Sequence, residues 1–276
     1  MDHILTDDLF HQENTKEYTL SIQVNLGGFS FSVVSASEKR LLAWKKVSLA
    51  ITNRKFLSRH FLEWTTQEEL LKNEFAEVKF IFDTKEFVPV PDKYFDETEN
   101  TKYIEALFDV ESETEIIAGK IENQNAWLLF TLPKPLKENL LGRFPHAEIV
   151  HPLKNCIDNL HFSEPEKKRL ILLFSSKYFY TVLFNGQNLL LANSFELTHK
   201  NDVIFYTLSV AKQFGIVPAK TEVFLAGELP HSEEIIEEIG KYFLPAQFLK
   251  PSRQLQVNSN IFTVPDYELY NLLNSI

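Results

Sequence analysis

The sequence predicts an α/β protein of two domains, each a mixed sheet flanked by helices in βββαβα order. Three observations carry this. The chain has 276 residues, against about 150 for a typical domain. Apolar alternation of period two gives way to helical stripes and then returns. The same order of elements starts twice, near residues 18 and 168.

Residues 1–17 are polar and read as a flexible N-terminal arm. In the next segment Leu20, Ile22, Val24 and Leu26 point one way, while Thr19, Ser21, Gln23 and Asn25 point the other, which is a strand with one apolar face. Gly27-Gly28 marks a tight turn, and Phe29, Phe31 and Val33 alternate with serines beyond it. Arg40 to Val47 fits a third strand. Asn53 has N-cap chemistry ahead of a stripe of Phe56, Leu57, Phe61 and Trp64. Thr66-Gln67-Glu68-Glu69 has capping-box spacing, and Glu77 to Asp83 reads as a strand. Thr84 to Asn100 reads as a Pro-containing acidic loop. A helix over Thr101–Phe108, a hairpin of Glu115–Ile121 with Ala126–Leu132, a helix over Pro135–Phe144, a short strand at 147–150 and a helix over Pro152–Leu160 complete a first domain at 18–162.

Ser163-Glu164-Pro165-Glu166-Lys167 reads as a linker, and 163–276 as the second domain. Strands fit Arg169–Phe174, Tyr178–Phe184 and Asn188–Leu197, with Asn185-Gly186 as the hairpin turn because both residues tolerate positive φ. Asn201 and Ser232 read as N-caps of two helices separated by a strand at Thr221–Ala226. Gly215 closes the first of these helices. Ala246–Leu249 reads as a strand, and Pro265 as the start of a last helix to Leu273.

Composition excludes several classes. The net charge is −10, which opposes general nucleic-acid binding, since that requires a cationic surface to displace counterions. The single cysteine, Cys156, rules out an intrachain disulfide and disfavours a cysteine zinc site. The N-terminus is acidic and lacks the basic and apolar regions of a secretory signal. No apolar run reaches the ~18 residues of a membrane span. A cytoplasmic protein is expected.

Catalytic patterns are sparse. No Walker A, GxGxxG or GxSxG pattern occurs. His146 and His151 are spaced for a turn, not for a metal pair on one helical face. Cys156, near His151 and His161 in sequence, reads as a small buried hydrophobe. The 24 phenylalanines read as core, because base-stacking surfaces interleave aromatics with Lys and Arg. The acidic run from Asp92 to Glu99 and the triplet Lys167-Lys168-Arg169 read as solvated loop charges. There are eight glycines, about 3% against about 7% in average proteins. Phosphate-cradling loops use glycine to bring backbone N–H groups close to the ligand.

Two βββαβα domains in tandem resemble the actin-like ATPase (ribonuclease H-like) superfamily, whose members include the bacterial assembly proteins PilM and FtsA. At finer grain the whole chain resembles DUF3822, a family found mainly in Bacteroidetes. The superfamily's first phosphate loop is a hydrophobic–Asp–hydrophobic–Gly turn. Val24-Asn25-Leu26-Gly27-Gly28 stands in that place, with Asn25 where the carboxylate belongs. Leu172-Leu173-Phe174-Ser175-Ser176-Lys177 stands at the second phosphate loop and carries neither acid nor glycine. Phe224-Leu225-Ala226-Gly227-Glu228-Leu229-Pro230 partly matches the adenosine loop through Gly227.

The resemblance implies carboxylates that organise Mg²⁺ around the phosphates, and Mg²⁺ demands hard oxygen ligands in strict geometry. Loss of one such stabiliser typically costs roughly 2.7–4 kcal/mol of barrier. The expectation is therefore a protein that is not an enzyme, has no cofactor and no metal, and acts as an adaptor or scaffold for a protein or peptide partner. The alternative is a nucleotide-binding sensor or divergent kinase. It would use Asn25, Gly27, Gly28, Ser30, Ser175, Ser176 and Gly227, with an acid supplied by Asp83 or Asp202.

Overall fold

The computed structural model describes residues 4–162, 164–252 and 255–275. The chain divides into two compact units. Unit 1 is Met1–Asp158, Arg253–Val264 and Asn271–Ile276; unit 2 is Asn159–Ser252 and Pro265–Tyr270. The sequence after residue 252 is thus shared between the units, whereas the reading above gave all of it to the second domain. Ser163, the first residue of the expected linker, lies outside the described residues.

Unit 1 contains β1 (Leu5–Thr6), β2 (Tyr18–Asn25), β3 (Gly28–Ser35), β4 (Arg40–Ser48), α1 (Leu57–Gln67), β5 (Glu77–Phe82), β6 (Phe87–Pro91), α2 (Asn100–Glu105), β7 (Thr114–Ile121), β8 (Ala126–Pro133), α3 (Lys134–Arg143), β9 (Glu148–Val150) and α4 (Pro152–Asp158). The main sheet has the order β1-β4-β3-β2-β5-β9. β2, β3 and β4 form an antiparallel meander, while β5 and β9 continue parallel to β2. Many of the phenylalanines fill the core as expected, whereas Phe56, read on the stripe of the first helix, is 53% exposed. Phe29 stacks on Trp64 at 5.1 Å between centroids, and Phe61 sits edge-on to both Phe29 and Phe80. Each buried phenylalanine contributes about 1.5–3 kcal/mol.

Local chemistry explains where the elements differ from expectation. In the stretch read as a flexible arm, Leu5–Thr6 pair antiparallel with β4 and Gln12–Glu17 form a 3-10 helix. Asp7 anchors them: its backbone N–H donates to Leu42 O at 2.8 Å, and its carboxylate accepts from Arg40 and from the Leu9 amide. The capping box at Thr66 does not form. Thr66 Oγ1 donates back to Leu62 O inside α1, and the carboxylate of Glu69, the acid of the box, is taken by Lys72. The stretch read as a loop from Thr84 contains β6. It tolerates Pro89 and Pro91 because it is an edge strand of a separate three-stranded sheet, β6-β8-β7. That sheet packs Val90 and Leu129 against Ile104 of α2.

Unit 2 contains β10 (Lys168–Phe174), β11 (Tyr178–Asn185), β12 (Asn188–Glu196), α5 (Lys200–Gln213), β13 (Glu222–Gly227), α6 (Ser232–Gly240) and β14 (Gln247–Phe248). Its sheet order is β12-β11-β10-β13-β14, again an antiparallel meander continued by parallel strands. Phe174, Phe179, Leu172, Leu225 and Ile235 lie in one core cluster. The N-caps fall one or two residues earlier than read. His199 caps α5, with Asp202 reaching back to the amides of Thr198 and His199. His231 precedes α6 in the left-handed region, at φ 51°. The helix expected from Pro265 is confined to α7 (Tyr270–Asn274). The Tyr267 carbonyl is taken by Gly227 N–H at 2.7 Å, and its ring stacks on Phe248 at 3.9 Å, so it does not join a helical ladder. Past α7, Ser275 Oγ donates to Ser21 Oγ on the serine-rich face of β2.

The two meanders repeat a detail of register. Between β3 and β4 the pairing passes from Val33↔Ala43 to Val34↔Leu41, leaving Leu42 as a bulge. Between β11 and β12 it passes from Leu183↔Leu191 to Phe184↔Leu189, leaving Leu190 as the bulge at the equivalent position.

The turn into β4 places Lys39 at φ 50°, a conformation that costs an L-residue about 1–2 kcal/mol. Lys39→Gly is expected to raise stability by up to about 1 kcal/mol, read as a higher urea midpoint at unchanged slope.

Candidate functional site

The residues carried forward from the sequence fall into two sets, one in each unit. In unit 1, Asn25 ends β2. Its Oδ1 accepts the Gly27 amide at 2.8 Å, and its Nδ2 faces Asp83 Oδ2 at 3.4 Å. Asp83 follows β5, with its amide on Val24 O at 2.9 Å. Both side chains are buried. The asparagine oxygen therefore closes its own turn, and the nearby acid comes from the neighbouring parallel strand. Ser30 is buried on β3. Gly28 has φ 137°, and a Cβ there would lie 2.0 Å from Val47 O and 3.0 Å from Leu49 N. The glycine is required by the close approach of β4.

Unit 2 repeats the situation. Ser175 and Ser176 form the β10–β11 turn, where the Ser175 amide donates to Tyr178 O at 2.9 Å. Ser175 is buried and Ser176 is exposed. Gly227 ends β13 at φ 89°, and a Cβ there would lie 2.2 Å from Phe174 O. Phe174 itself points into the core. Gly227 is thus required by the backbone of β10. Asp202, the other acid considered, is held below the usual carboxylate range by the His199 and Thr198 amides, as a helix-capping group.

Sequence reasoning missed a cleft of about 610 Å³ in unit 2, lined by Ser176, His199, Lys200, Asn201, His231 and Glu234 among others. It lies where α5 and α6 begin, and an ion pair between Lys200 and Glu234 joins the two helices. Its residues are far apart in sequence and share no spacing pattern. The one local signal is the Pro230-His231 step into a helix.

The remaining candidates resolve into structural roles. His151 is fully buried; its Nδ1 accepts the Leu153 amide and its Nε2–H donates to Thr84 O at 2.9 Å. Burial pushes its pKa down to about 3, against the pull of that carbonyl. Cys156 is buried, as read from the sequence. Among the described residues no group of three or more His, Cys, Asp or Glu is placed to hold a metal ion. Arg169 and Lys167 pair with Glu164 and Glu222, and the Arg169 guanidinium lies 4.5 Å from the Phe162 ring centre. Burial raises the Glu222 pKa, but hydrogen bonds from Lys167 and Arg169 bring it below the usual range. The basic triplet is largely neutralised within the unit. Among the described residues no helix is long and apolar enough to cross a membrane.

The family described as "Protein of unknown function (DUF3822)" matches residues 7–244. The chain belongs to the DUF3822 family. Comparison with curated proteins finds no match. Among solved structures, this DUF3822 protein is similar to a Bacteroides thetaiotaomicron VPI-5482 protein with actin-like ATPase fold and unknown function. The TM-score is 0.80 at 21% identity, over 87% of this chain and 94% of that one. It is also similar to a chain of the PilM–PilN type IV pilus biogenesis complex, with TM-score 0.59 at 11% identity over 93% and 96%. The ethanolamine utilization protein EutJ from Carboxydothermus hydrogenoformans gives TM-score 0.53 at 8% identity over 99% and 91%. These likenesses establish the actin-like ATPase fold.

Proposed function

We propose that this DUF3822 protein is a non-catalytic, actin-like adaptor or scaffold that works by binding other proteins, without a nucleotide. One observation carries the reading. At two of the three loop glycines named for a nucleotide, the space next to Cα is taken by the chain's own strands, Val47 O at Gly28 and Phe174 O at Gly227, and the amide of the third, Gly27, is held by Asn25 Oδ1. A glycine kept for ligand approach would face open space. The Asn25 carboxamide is likewise engaged in its own turn. Fold-level analogy adds a little, since one structure of similar fold comes from a complex of PilM with PilN.

The second reading, a nucleotide-binding sensor or divergent kinase, draws support from Asp83 beside Asn25 and from the unit 2 cleft with its Lys200 and histidines. Thermal unfolding with millimolar Mg-ATP separates the two. A ligand present at 100 times its Kd adds about 2.7 kcal/mol, or several degrees in melting temperature at this size. The expected result is an unchanged melting temperature and no ATP turnover. A Mg²⁺-dependent rise would replace the adaptor reading with the nucleotide one.

A further inference from the structure

The repeated meander carries an inference about where a partner docks. In unit 1 the third strand, β4, does not end the sheet. β1 pairs outside it, antiparallel, with Leu5↔Trp44 and Thr6↔Ala43, and the Asp7 amide donates to the carbonyl of the bulged Leu42. In unit 2 the third strand, β12, has the same length and carries its bulge at the equivalent residue, Leu190. Among the described residues no strand lies beyond it. Position by position, Leu190 stands for Leu42, Leu191 for Ala43, Ala192 for Trp44 and Asn188 for Arg40. One edge thus shows how the other is completed.

We propose, resting on the adaptor reading, that the outer edge of β12 receives an extended segment of another polypeptide, added antiparallel in the register that β1 uses on β4. An unpaired strand edge is a template for such addition, and proteins that avoid it place lysine, proline or an inward charge there. β12 has no Lys, Arg or Pro from Asn188 to Phe195. Leu190 is 42% exposed, and Asn193 is also exposed.

The chemistry of the occupant follows from the substitutions between the two edges. Ala192 replaces Trp44, so an incoming residue opposite it meets a methyl group where Leu5 meets an indole. Asn188 replaces Arg40, so no guanidinium holds an acid where Asp7 sits in unit 1. Exposed Glu166 lies against the Asn185–Gly186 turn at one end of the strand, and the net charge of the chain is −10. These charges favour basic flanks on the segment and disfavour a second copy of this chain.

The test uses the full chain and an end-blocked peptide with Leu-Thr at its centre, as in β1, flanked by lysines; a glutamate-flanked version is the control. Binding is read by fluorescence anisotropy and by amide hydrogen exchange. The lysine-flanked peptide is expected to bind and to slow exchange across residues 190–193. Leu190→Lys is expected to weaken binding by about tenfold or more while melting like the wild type. Asn193→Lys, a second exposed position, is the companion variant. Absence of protection at 190–193, or equal binding of both peptides, would overturn the proposal. So would a concentration-dependent dimer that Leu190→Lys dissolves, because the occupant would then be a second copy. If affinity-captured partners are retained by Leu190→Lys, the edge proposal falls and the adaptor reading stands. If the wild type captures no partner but the peptide protects the edge, the adaptor reading falls and the edge stands.

Discussion

Replacing Gly28 by alanine is expected to cost about 3 kcal/mol of folding stability, with Gly227→Ala close behind. Two costs add at each site. The backbone sits at φ 137° or 89°, where an L-residue is strained. The new Cβ also meets a backbone carbonyl at 2.0 or 2.2 Å, and a strand backbone moves aside only by breaking ladder hydrogen bonds. Gly142, in the exposed part of α3, is the control: nothing lies within 4 Å of its added Cβ. Gly142→Ala is expected to stabilise by up to about 1 kcal/mol through helix propensity. Urea midpoints of the three variants, with and without Mg-ATP, decide the matter. Loss of stability at Gly28 and Gly227 in both conditions ties the glycines to strand packing. Unchanged stability together with lost ligand binding would tie them to a ligand and restore the nucleotide reading.

The same glycines show what the sequence made legible. The alternation of Leu20, Ile22 and Val24 sufficed to place β2, because a half-apolar strand writes its period directly into the chain. The NG turn at Asn185-Gly186 sufficed to pair β11 with β12, since Gly186 does adopt positive φ. The meaning of Gly28 was not legible. A glycine kept for a phosphate and one kept for a neighbouring carbonyl look identical until Val47, nineteen positions later, is brought alongside. Long-range partners account for the other differences too. β1 depends on Arg40 meeting Asp7, and the shortened C-terminal helix depends on Gly227 reaching Tyr267. The unit 2 cleft draws its lining from three separated stretches, so no local pattern announces it. The bulge shared by β4 and β12 was hidden for a related reason: Leu41-Leu42 and Leu189-Leu190-Leu191 are apolar on every residue, so period-two reading cannot show which one is extra.

His151 sets the second large expected effect, a dependence of stability on pH. Its ring is fully buried, 5.1 Å from the Phe87 ring centre and 5.3 Å from that of Phe130. Burial holds the folded-state pKa near 3, whereas the unfolded chain takes up the proton at about 6.5. Between those values the unfolded state binds one more proton than the folded state. Stability from this residue is therefore complete above about pH 6.5 and falls by about 1.4 kcal/mol per pH unit as pH drops toward 3. Carboxylates titrate in the lower part of the same range, so the informative quantity is the difference between variants. Gln has an N–H for the Thr84 carbonyl but only an imperfect substitute for Nδ1. His151→Gln is accordingly expected to cost about 2 kcal/mol near pH 7. That gap should shrink on acidification, because glutamine has no proton to gain, and the two stability curves should cross near about pH 5. Urea unfolding at about pH 7, 6 and 5 measures it. Parallel curves would mean that the folded protein admits the proton, and that the ring between Phe87 and Phe130 reaches water. A crossing would confirm His151 as a neutral bracket between the segment after β5, where Asp83 and Thr84 lie, and the start of α4. Any reagent that reaches the Asn25–Asp83 pair would then have to act without help from a titrating histidine beside it.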